Sequence, residues 1–249
     1  DREDMKLPYG QDELIGALLD VKPDMVVVNM SGSPVEMGAW IDRAGAVVQY
    51  WYSGTMGGTA LAEVLFGDVN PSGKLPTTFP KKLEDTPAER FGEFPGGDTV
   101  RYNEGIYVGY RYYDSYDVEP QFCFGHGLSY TDFEYSGLRI ETTENSGGKV
   151  RTTVSCTVKN TGAVKGSEVV QLYVADREGS VPGPEKELKE FQKVTLEPGE
   201  STAVAFELKE RDFSFYCVEE SGWKWEHGEF GILLGSSSRD IRLEGRVEL

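Results

Sequence analysis

The hydrophobic pattern of this chain changes once, and that change restricts the folds open to it. In the first 80 residues, short apolar runs alternate with segments of helical periodicity. From about Phe133 onward, short segments with alternating apolar and polar residues follow one another. The first pattern is typical of an α/β arrangement and the second of an antiparallel β-sandwich. We therefore expect an α/β part followed by an all-β part within the 249 residues.

The first part reads as repeated strand–turn–helix units. Residues 10–20 predict an amphipathic helix, and the Val-rich runs at 25–30 and 46–51 predict parallel strands covered on both faces. A short, weak helix is predicted at 35–42 and another helix at 59–65.

Two loops follow the predicted parallel strands, at 30–34 and 52–58. Ligands of open α/β sheets lie beyond the carboxyl ends of the strands, so these are the candidate binding loops. The alternative is that their glycines only form tight turns. The glycines do not have the GxGxxG spacing, and the chain has no GxxxxGK[ST] motif, so nothing supports a nucleotide site.

A connector rich in Gly, Pro and aromatic residues is predicted at 81–132. Within it, 107–113 reads as a strand or extended segment. Its aromatic side chains either pack against another domain or form a stacking platform for sugars.

The last part predicts an antiparallel sandwich of about seven strands, fibronectin type III-like rather than antibody-like because it lacks the Cys…Trp…Cys spacing. Turn signals such as 145–148 separate the strands. The predicted strands are 134–142, 149–160, 167–176, 187–196, 200–209, 222–225, 228–235 and 241–247.

Composition excludes several classes of function. The net charge of −17 argues against nucleic acid and anionic membranes, and it fits either a neutral or cationic ligand or simple solubility. No apolar run approaches the roughly 20 residues of a membrane span. Cys123, Cys156 and Cys217 are scattered and odd in number, so buried thiols are expected instead of a metal site or disulfides. We predict no metal and no cofactor.

The chain begins with Asp1 in what reads as the tail of a loop directly before a helix. We therefore expect it to be a piece of a longer polypeptide.

Four segments carry a resemblance to a known family. They are 67–80 (GDVNPSGKLPTTFP), 102–114 (YNEGIYVGYRYYD), 122–131 (FCFGHGLSYT) and 184–191 (PEKELKEF). Together they resemble the C-terminal portion of glycoside hydrolase family 3, in particular its bacterial β-glucosidases. One departure is Cys123, where the family usually has Pro.

The resemblance implies an organisation and a mechanism. Residues 1–80 would be the C-terminal part of the family's α/β sandwich domain, 81–132 a connector and 133–249 the fibronectin type III-like domain. Family members use a retaining mechanism with two carboxyl groups. The nucleophile is an Asp on a barrel that this chain does not contain. Asp1 and Arg2 match the end of the acid/base motif, which places its Glu a few residues before Asp1.

By this alignment the chain holds neither catalytic carboxylate. Site-adjacent candidates are Asp1, Arg2, Tyr102 and Glu104. Arg2 either orients the acid/base loop or forms a surface salt bridge. Glu104 either lies beside the active site or forms hydrogen bonds between domains. Glu36 and Glu63 are further carboxylates in family-like segments, but a lone carboxylate cannot run the retaining mechanism.

Two hypotheses about function follow. In the first, the chain completes a β-glucosidase with a barrel-containing remainder, in cis or as a separate chain, and acts on a β-glucoside or oligosaccharide. In the second, it is a non-catalytic carbohydrate-binding or interaction module.

Overall fold

The computed structural model describes residues 3–144 and 150–249, which form two compact units. The first unit is Asp1–Val69 with Pro76–Phe124, and the second is Asn70–Leu75 with Gly125–Leu249. The predicted turn at 145–148 lies outside the described residues. The boundaries at 80 and 132 stay predictions.

The first unit is built on two parallel strands and two helices. Their order is α1 (Gln11–Val21), β1 (Val26–Asn29), β2 (Ala46–Gln49) and α2 (Gly57–Phe66). β1 and β2 pair in parallel, with Val26 opposite Ala46 and Asn29 opposite Gln49. These elements follow the predicted order, with ends shifted by one or two residues, and the expected α/β character is confirmed. The prediction that both strands are covered on both faces is wrong for the described unit, since Val26 is 43% exposed and no residue of β2 is buried.

The helix predicted at 35–42 is wrong. Only a 3₁₀ turn forms there, at Ile41–Arg43. Val35, Met37 and Trp40 are almost fully buried, and their spacing does not follow one face of a regular helix. The backbone N–H of Glu36 donates to Met5 O at 2.8 Å instead of to a helical partner. Tertiary burial therefore overrides the weak local helix preference.

The extended segment predicted at 107–113 is also wrong in part. After α3 (Pro87–Arg90), the chain forms α4 (Tyr110–Ser115). Gly109 precedes it with φ 58°, a conformation that favours glycine. α4 buries Tyr112, whose ring packs edge-to-face on Phe91. These aromatic residues therefore pack inside the first unit.

The second unit is a β-sandwich, as predicted. Its strands are β3 (Phe133–Glu144), β4 (Val150–Asn160), β5 (Gly166–Asp176), β6 (Glu187–Leu196), β7 (Ser201–Lys209), β8 (Phe215–Cys217), β9 (Gly222–Lys224), β10 (Glu229–Gly235) and β11 (Ile241–Glu248). One sheet has the order β3–β4–β7 and the other β11–β10–β5–β6. The strand β8, which the sequence did not predict, pairs with β9 in a separate hairpin.

The sandwich core comes from alternate residues of the facing strands. β4 contributes Val154, Cys156 and Val158, and β7 contributes every second residue in the same way. Burial raises the pKa of the Cys156 thiol to about 11. Cys123 and Cys217 are only half-buried, so the expectation of buried thiols holds for Cys156 alone.

A short strap, residues 70–75, belongs to the second unit although its neighbours in sequence belong to the first. Asn70 Oδ1 accepts from Tyr130 N at 2.8 Å, and Leu75 N donates to His126 O at 2.8 Å. Lys74 forms a 3.0 Å ion pair with Glu168. The strap is therefore held by hydrogen bonds of the Asn70 side chain and of the Leu75 backbone, and by one buried charge pair.

The stability of the second unit should depend on pH through His126. Burial, and then the Lys74 ammonium, lower the pKa of this imidazole. The unfolded chain therefore binds the proton first as pH falls below about 6.5. We expect the unfolding temperature to drop between about pH 7 and pH 5, and this dependence to weaken in His126→Gln. His227→Gln, on an exposed side chain, is the matched control. An unchanged pH profile in His126→Gln would contradict this assignment.

Among the residues that the structure describes, no helix is long and apolar enough to cross a membrane.

Candidate functional site

A polar cluster lies where the two parallel strands of the first unit end. The buried Asn29 donates through Nδ2 to Gln49 Oε1 at 2.6 Å and to Ser31 Oγ at 3.0 Å. Gln49 Nε2 donates to Ser31 O at 3.2 Å, and Ser31 Oγ donates to Ser33 O at 2.8 Å. The cluster ties the predicted loop 30–34 to both strands.

The second predicted loop, 52–58, leads directly into α2. The phenol of Tyr50 donates to Gly57 O, which fixes the start of the helix beside the end of β2. A Cβ on Gly57 would lie 2.2 Å from Ser53 Oγ, so this position requires glycine for close approach. Glycine at this position therefore allows close packing between the loop and the start of α2, and the choice between a binding loop and tight turns stays a prediction.

An open cavity of about 1100 Å³ lies along the first of these loops. Its walls are the chain segment before α1, the end of β1 with loop 30–34, and the ring of Tyr52. The structure therefore brings loop 30–34 together with the residues that directly follow Asp1 and Arg2. Asp1 and Arg2 themselves lie outside the described residues.

A second cavity, which we call the apolar cleft, has a volume of about 360 Å³. Its main apolar walls are Met5, Pro34, Pro80, Leu83, Phe94 and Tyr113. Glu3 and Asp4 also line it, and no lysine or arginine is among the described lining residues. Burial raises the pKa of the Tyr113 phenol, which therefore stays protonated at neutral pH. The cleft is largely apolar, and its polar wall residues are the acidic Glu3 and Asp4 and the hydroxyl-bearing Ser33, Thr77, Thr78 and Thr86.

Glu36 joins two walls of the apolar cleft. Its backbone N–H donates to Met5 O at 2.8 Å, and its Oε1 accepts from Leu83 N at 3.1 Å. The sequence singled out Glu36 only as a possible catalytic carboxylate. Glu36 stands between two apolar residues, Val35 and Met37, which are both buried, and this position in the sequence could have indicated a structural role.

Tyr102 and Glu104 lie in a different part of the first unit. Tyr102 is 82% exposed, and Glu104 is half-buried with its Oε2 enclosed and unpaired among the described residues. Neither residue belongs to the described lining of the two cavities. Their assignment as site-adjacent residues stays a prediction. Glu63, the third carboxylate considered, is exposed on α2.

The sequence did not indicate the partner of Glu104, which is Glu93. A hydrogen bond between the two carboxyl groups, together with desolvation, raises the pKa of Glu93. Glu93 Oε1 also accepts from Asn103 N, so the pair closes the loop between residues 93 and 104. Carboxyl groups in direct contact leave no room for a sugar between them, whereas a retaining glycosidase needs about 5–5.5 Å. This pair is therefore not a catalytic pair.

Comparison with family models assigns both parts of the chain. Residues 1–110 match the glycosyl hydrolase family 3 C-terminal domain. The chain belongs to glycoside hydrolase family 3. Residues 168–238 match a fibronectin type III-like domain, within the β-sandwich of the second unit. The sequence resemblance and the predicted fold class are thereby confirmed, and the chain corresponds to the C-terminal portion of family 3 proteins.

Relatives from bacteria support the same assignment. The chain is 50% identical over its whole length to thermostable beta-glucosidase B of Acetivibrio thermocellus, of which it covers 33%. It is 49% identical, over 97% of its length, to a beta-glucosidase of Bacteroides ovatus, of which it covers 32%. The chain thus spans about a third of the length of these family 3 relatives.

Solved structures agree with the sequence comparison. A beta-glucosidase of Kluyveromyces marxianus in complex with glucose matches the entire chain with a TM-score of 0.93 and 43% identity, and 29% of that protein is covered. Beta-glucosidase 3B of Thermotoga neapolitana in complex with glucose matches it with a TM-score of 0.88 and 38% identity, and 35% of that protein is covered.

Proposed function

We propose that this chain supplies the C-terminal portion of a retaining β-glucosidase that hydrolyses terminal β-D-glucosides. One observation carries the proposal: the chain aligns end to end, at 50% identity, with about a third of a protein named as a beta-glucosidase. The proposed partner is the barrel-containing remainder of the enzyme, in cis or as a separate chain.

The mechanism needs two carboxyl groups on opposite sides of one glycosidic bond. A carboxylate attacks the anomeric carbon while a second carboxyl group protonates the leaving oxygen. The second group then takes a proton from a water molecule, whose oxygen attacks the anomeric carbon and breaks the bond between the sugar and the nucleophile, so that the sugar is released. We place the nucleophile, an Asp, on the barrel and the acid/base Glu just upstream of Asp1.

The contribution of this chain is to hold the segment that follows the acid/base. α1 begins at Gln11, and Met5 O accepts the Glu36 N–H, so both ends of residues 5–11 are anchored. Loop 30–34 is fixed by the polar cluster and lies along the same cavity. A well-fixed acid/base loop matters because small displacements of a catalytic group cost large factors in rate.

The direct test is hydrolysis of an aryl β-D-glucoside. We expect the 249-residue chain alone to release no more phenol than buffer does, and the full-length protein to hydrolyse the glucoside. In the full-length protein, NMR should show β-glucose as the first product, as retention requires. Appreciable hydrolysis by the chain alone would show that our placement of the two carboxyl groups is wrong.

A second candidate function is non-catalytic carbohydrate binding. The observation that favours it is the β8–β9 hairpin, where Tyr216 and Trp223 are about half exposed and pack edge-to-face. The Arg211 guanidinium covers one face of the Trp223 ring, and the remaining exposed aromatic surface of the hairpin can stack on sugars. Calorimetric titration of the isolated chain with a gluco-oligosaccharide distinguishes this candidate, because only a binding module predicts affinity without the barrel.

A further inference from the structure

We infer that a polar cavity in the second unit is a binding site for a small neutral polyol, and that D-glucose is its occupant. The cavity, which we call the ion-pair cavity, has a volume of about 250 Å³. All of its described lining residues belong to the second unit, so it is separate from the two cavities of the first unit. Only the choice of glucose, the product of the proposed reaction, rests on the proposed function.

Two ion pairs lie in the wall of the cavity. Lys74 Nζ on the strap is 3.0 Å from Glu168 Oε1 on β5, and the Arg242 guanidinium binds both carboxylate oxygens of Asp240 at 2.6 and 2.7 Å. Each pair joins one positive and one negative charge, so together they attract neither an anion nor a cation strongly. The other lining carboxylate, Asp132, is exposed to water and would repel an anion. A neutral ligand therefore fits this wall best.

The Lys74–Glu168 pair has hydrogen-bonding capacity that the chain itself does not use. Glu168 is 7% exposed, and its Oε1 both faces Lys74 and accepts from Val169 N at 2.7 Å. Among the described residues, its Oε2 has no hydrogen-bond partner, which is unusual for a carboxylate buried this deeply. Lys74 Nζ has three N–H groups, of which one faces Glu168 and one donates to Gly127 O at 3.3 Å. An acceptor and a donor thus remain available next to each other.

Hydroxyl groups match this unused capacity. A hydroxyl can donate to Glu168 Oε2 and accept from Lys74 Nζ, and hydrogen bonds to charged groups are about twice as strong as those between neutral groups. Phe133 and Leu128 add apolar surface for the C–H face of a sugar ring. The volume lies below the roughly 300 Å³ at which sites for larger ligands begin, which suits one sugar ring and not an oligosaccharide.

Binding here would connect glucose to the second unit alone. Lys74 belongs to the strap and Glu168 to β5, so a ligand that bonds both holds the strap against the sandwich. The unfolded chain does not keep these two residues together, and glucose would therefore stabilise the folded second unit by mass action.

The test titrates D-glucose into the ¹⁵N-labelled 249-residue chain and follows the backbone amides by NMR. We expect saturable shifts at Lys74, Gly127 and Ser237, which all line the cavity, with a Kd of about 1 mM. If no saturable shift appears at these amides up to about 50 mM glucose, the cavity holds only water and the inference is wrong.

Substitution of Glu168 tests the assigned contacts. Glu168→Gln removes the charge of the acceptor, and we expect it to raise the Kd about tenfold. Glu207→Gln is the matched control, because Glu207 is also an ion-paired glutamate of the second unit but is about half exposed and outside the cavity. Its Kd should stay within about twofold of the unsubstituted chain. Equal Kd values for both variants would contradict the role of Glu168.

A double variant separates loss of binding from loss of folding. Lys74→Met combined with Glu168→Met leaves neither partner unpaired, so it should fold with little loss of stability while losing the shifts caused by glucose. Glucose binding by the folded double variant with unchanged affinity would overturn the inference.

A charged sugar tests the preference for a neutral ligand. D-glucuronate has the same ring as glucose with one added carboxylate, and we expect it to bind at least about fivefold more weakly, because Glu168 and Asp240 repel it. Tighter binding of glucuronate than of glucose would show that the cavity is an anion site.

The result is independent of the test of the proposed function. If the full-length protein hydrolyses no β-glucoside but the chain binds glucose in the ion-pair cavity, only the proposed function fails. If the full-length protein hydrolyses the glucoside and the chain binds no glucose there, only this inference fails.

Discussion

Replacing Lys74 by methionine is expected to lower the free energy of unfolding by about 3–5 kcal/mol. Lys74 Nζ lies 3.0 Å from Glu168 Oε1, and the two side chains are only 14% and 9% exposed. Lys74 Nζ also donates to Gly127 O at 3.3 Å. Without the ammonium, the Glu168 carboxylate stays buried without its ion-pair partner and keeps only a weaker electrostatic interaction with Arg242, which is the costly case for a buried charge. Thermal and urea denaturation of the protein measure the loss.

Two controls separate this burial effect from charge removal in general. Arg151→Met breaks an ion pair with Glu207 across β4 and β7 in which both side chains are about half exposed, and we expect less than about 1 kcal/mol. The double replacement of Lys74 and Glu168 by methionine should recover most of the lost stability, because no unpaired charge remains. Equal losses in the Lys74 and Arg151 variants would contradict the buried character of the Lys74–Glu168 pair.

Replacing Trp40 by alanine should destabilise the first unit by about 3–5 kcal/mol. The indole is 1% exposed, and its Nε1 donates to Asp12 Oδ1 at 2.8 Å, which joins the 3₁₀ turn to α1. Truncation leaves a large cavity and removes the indole donor that pairs with Asp12. Denaturation of the protein, followed by circular dichroism, measures the effect.

The controls for Trp40 vary volume and burial separately. Trp40→Phe keeps most of the ring volume and loses the Nε1–H donor, so it should cost clearly less than alanine. Trp223→Ala removes an indole of the same size that is 54% exposed on the β8–β9 hairpin, and it should have a small effect. A Trp40→Ala protein with an unchanged unfolding temperature would show that the segment around Glu36 is not fixed by this side chain.

Sequence patterns predicted the elements in which local preference and burial agree. β4 and β7 alternate between core and solvent, so a period of two was visible and both strands formed where expected. In the segment at 35–42, the weak local preference for a helix and the burial pattern disagree. Val35, Met37 and Trp40 are buried through contacts with distant parts of the chain, which no local pattern indicates. At 107–113, the pairing of Tyr112 with Phe91 was not visible in the sequence either.

Sequence patterns likewise predicted one part of the candidate site and missed another. Loop 30–34 was predicted because the carboxyl ends of parallel strands form binding edges. The apolar cleft was not predicted, since its walls come from segments around residues 4, 34, 79, 85, 94 and 110 that are far apart in sequence. The Glu93–Glu104 contact was missed for the same reason.

The sequence by itself determined the succession of an α/β part and a β-sandwich, and the family. These depend on residue periodicity and on motifs of contiguous residues. Only the tertiary structure decided that Glu36 joins two cleft walls, that Lys74 forms a buried ion pair, and that the apolar cleft is lined by Glu3, Asp4 and Met5. Those features depend on side chains brought together across the fold, and no local pattern encodes such distances.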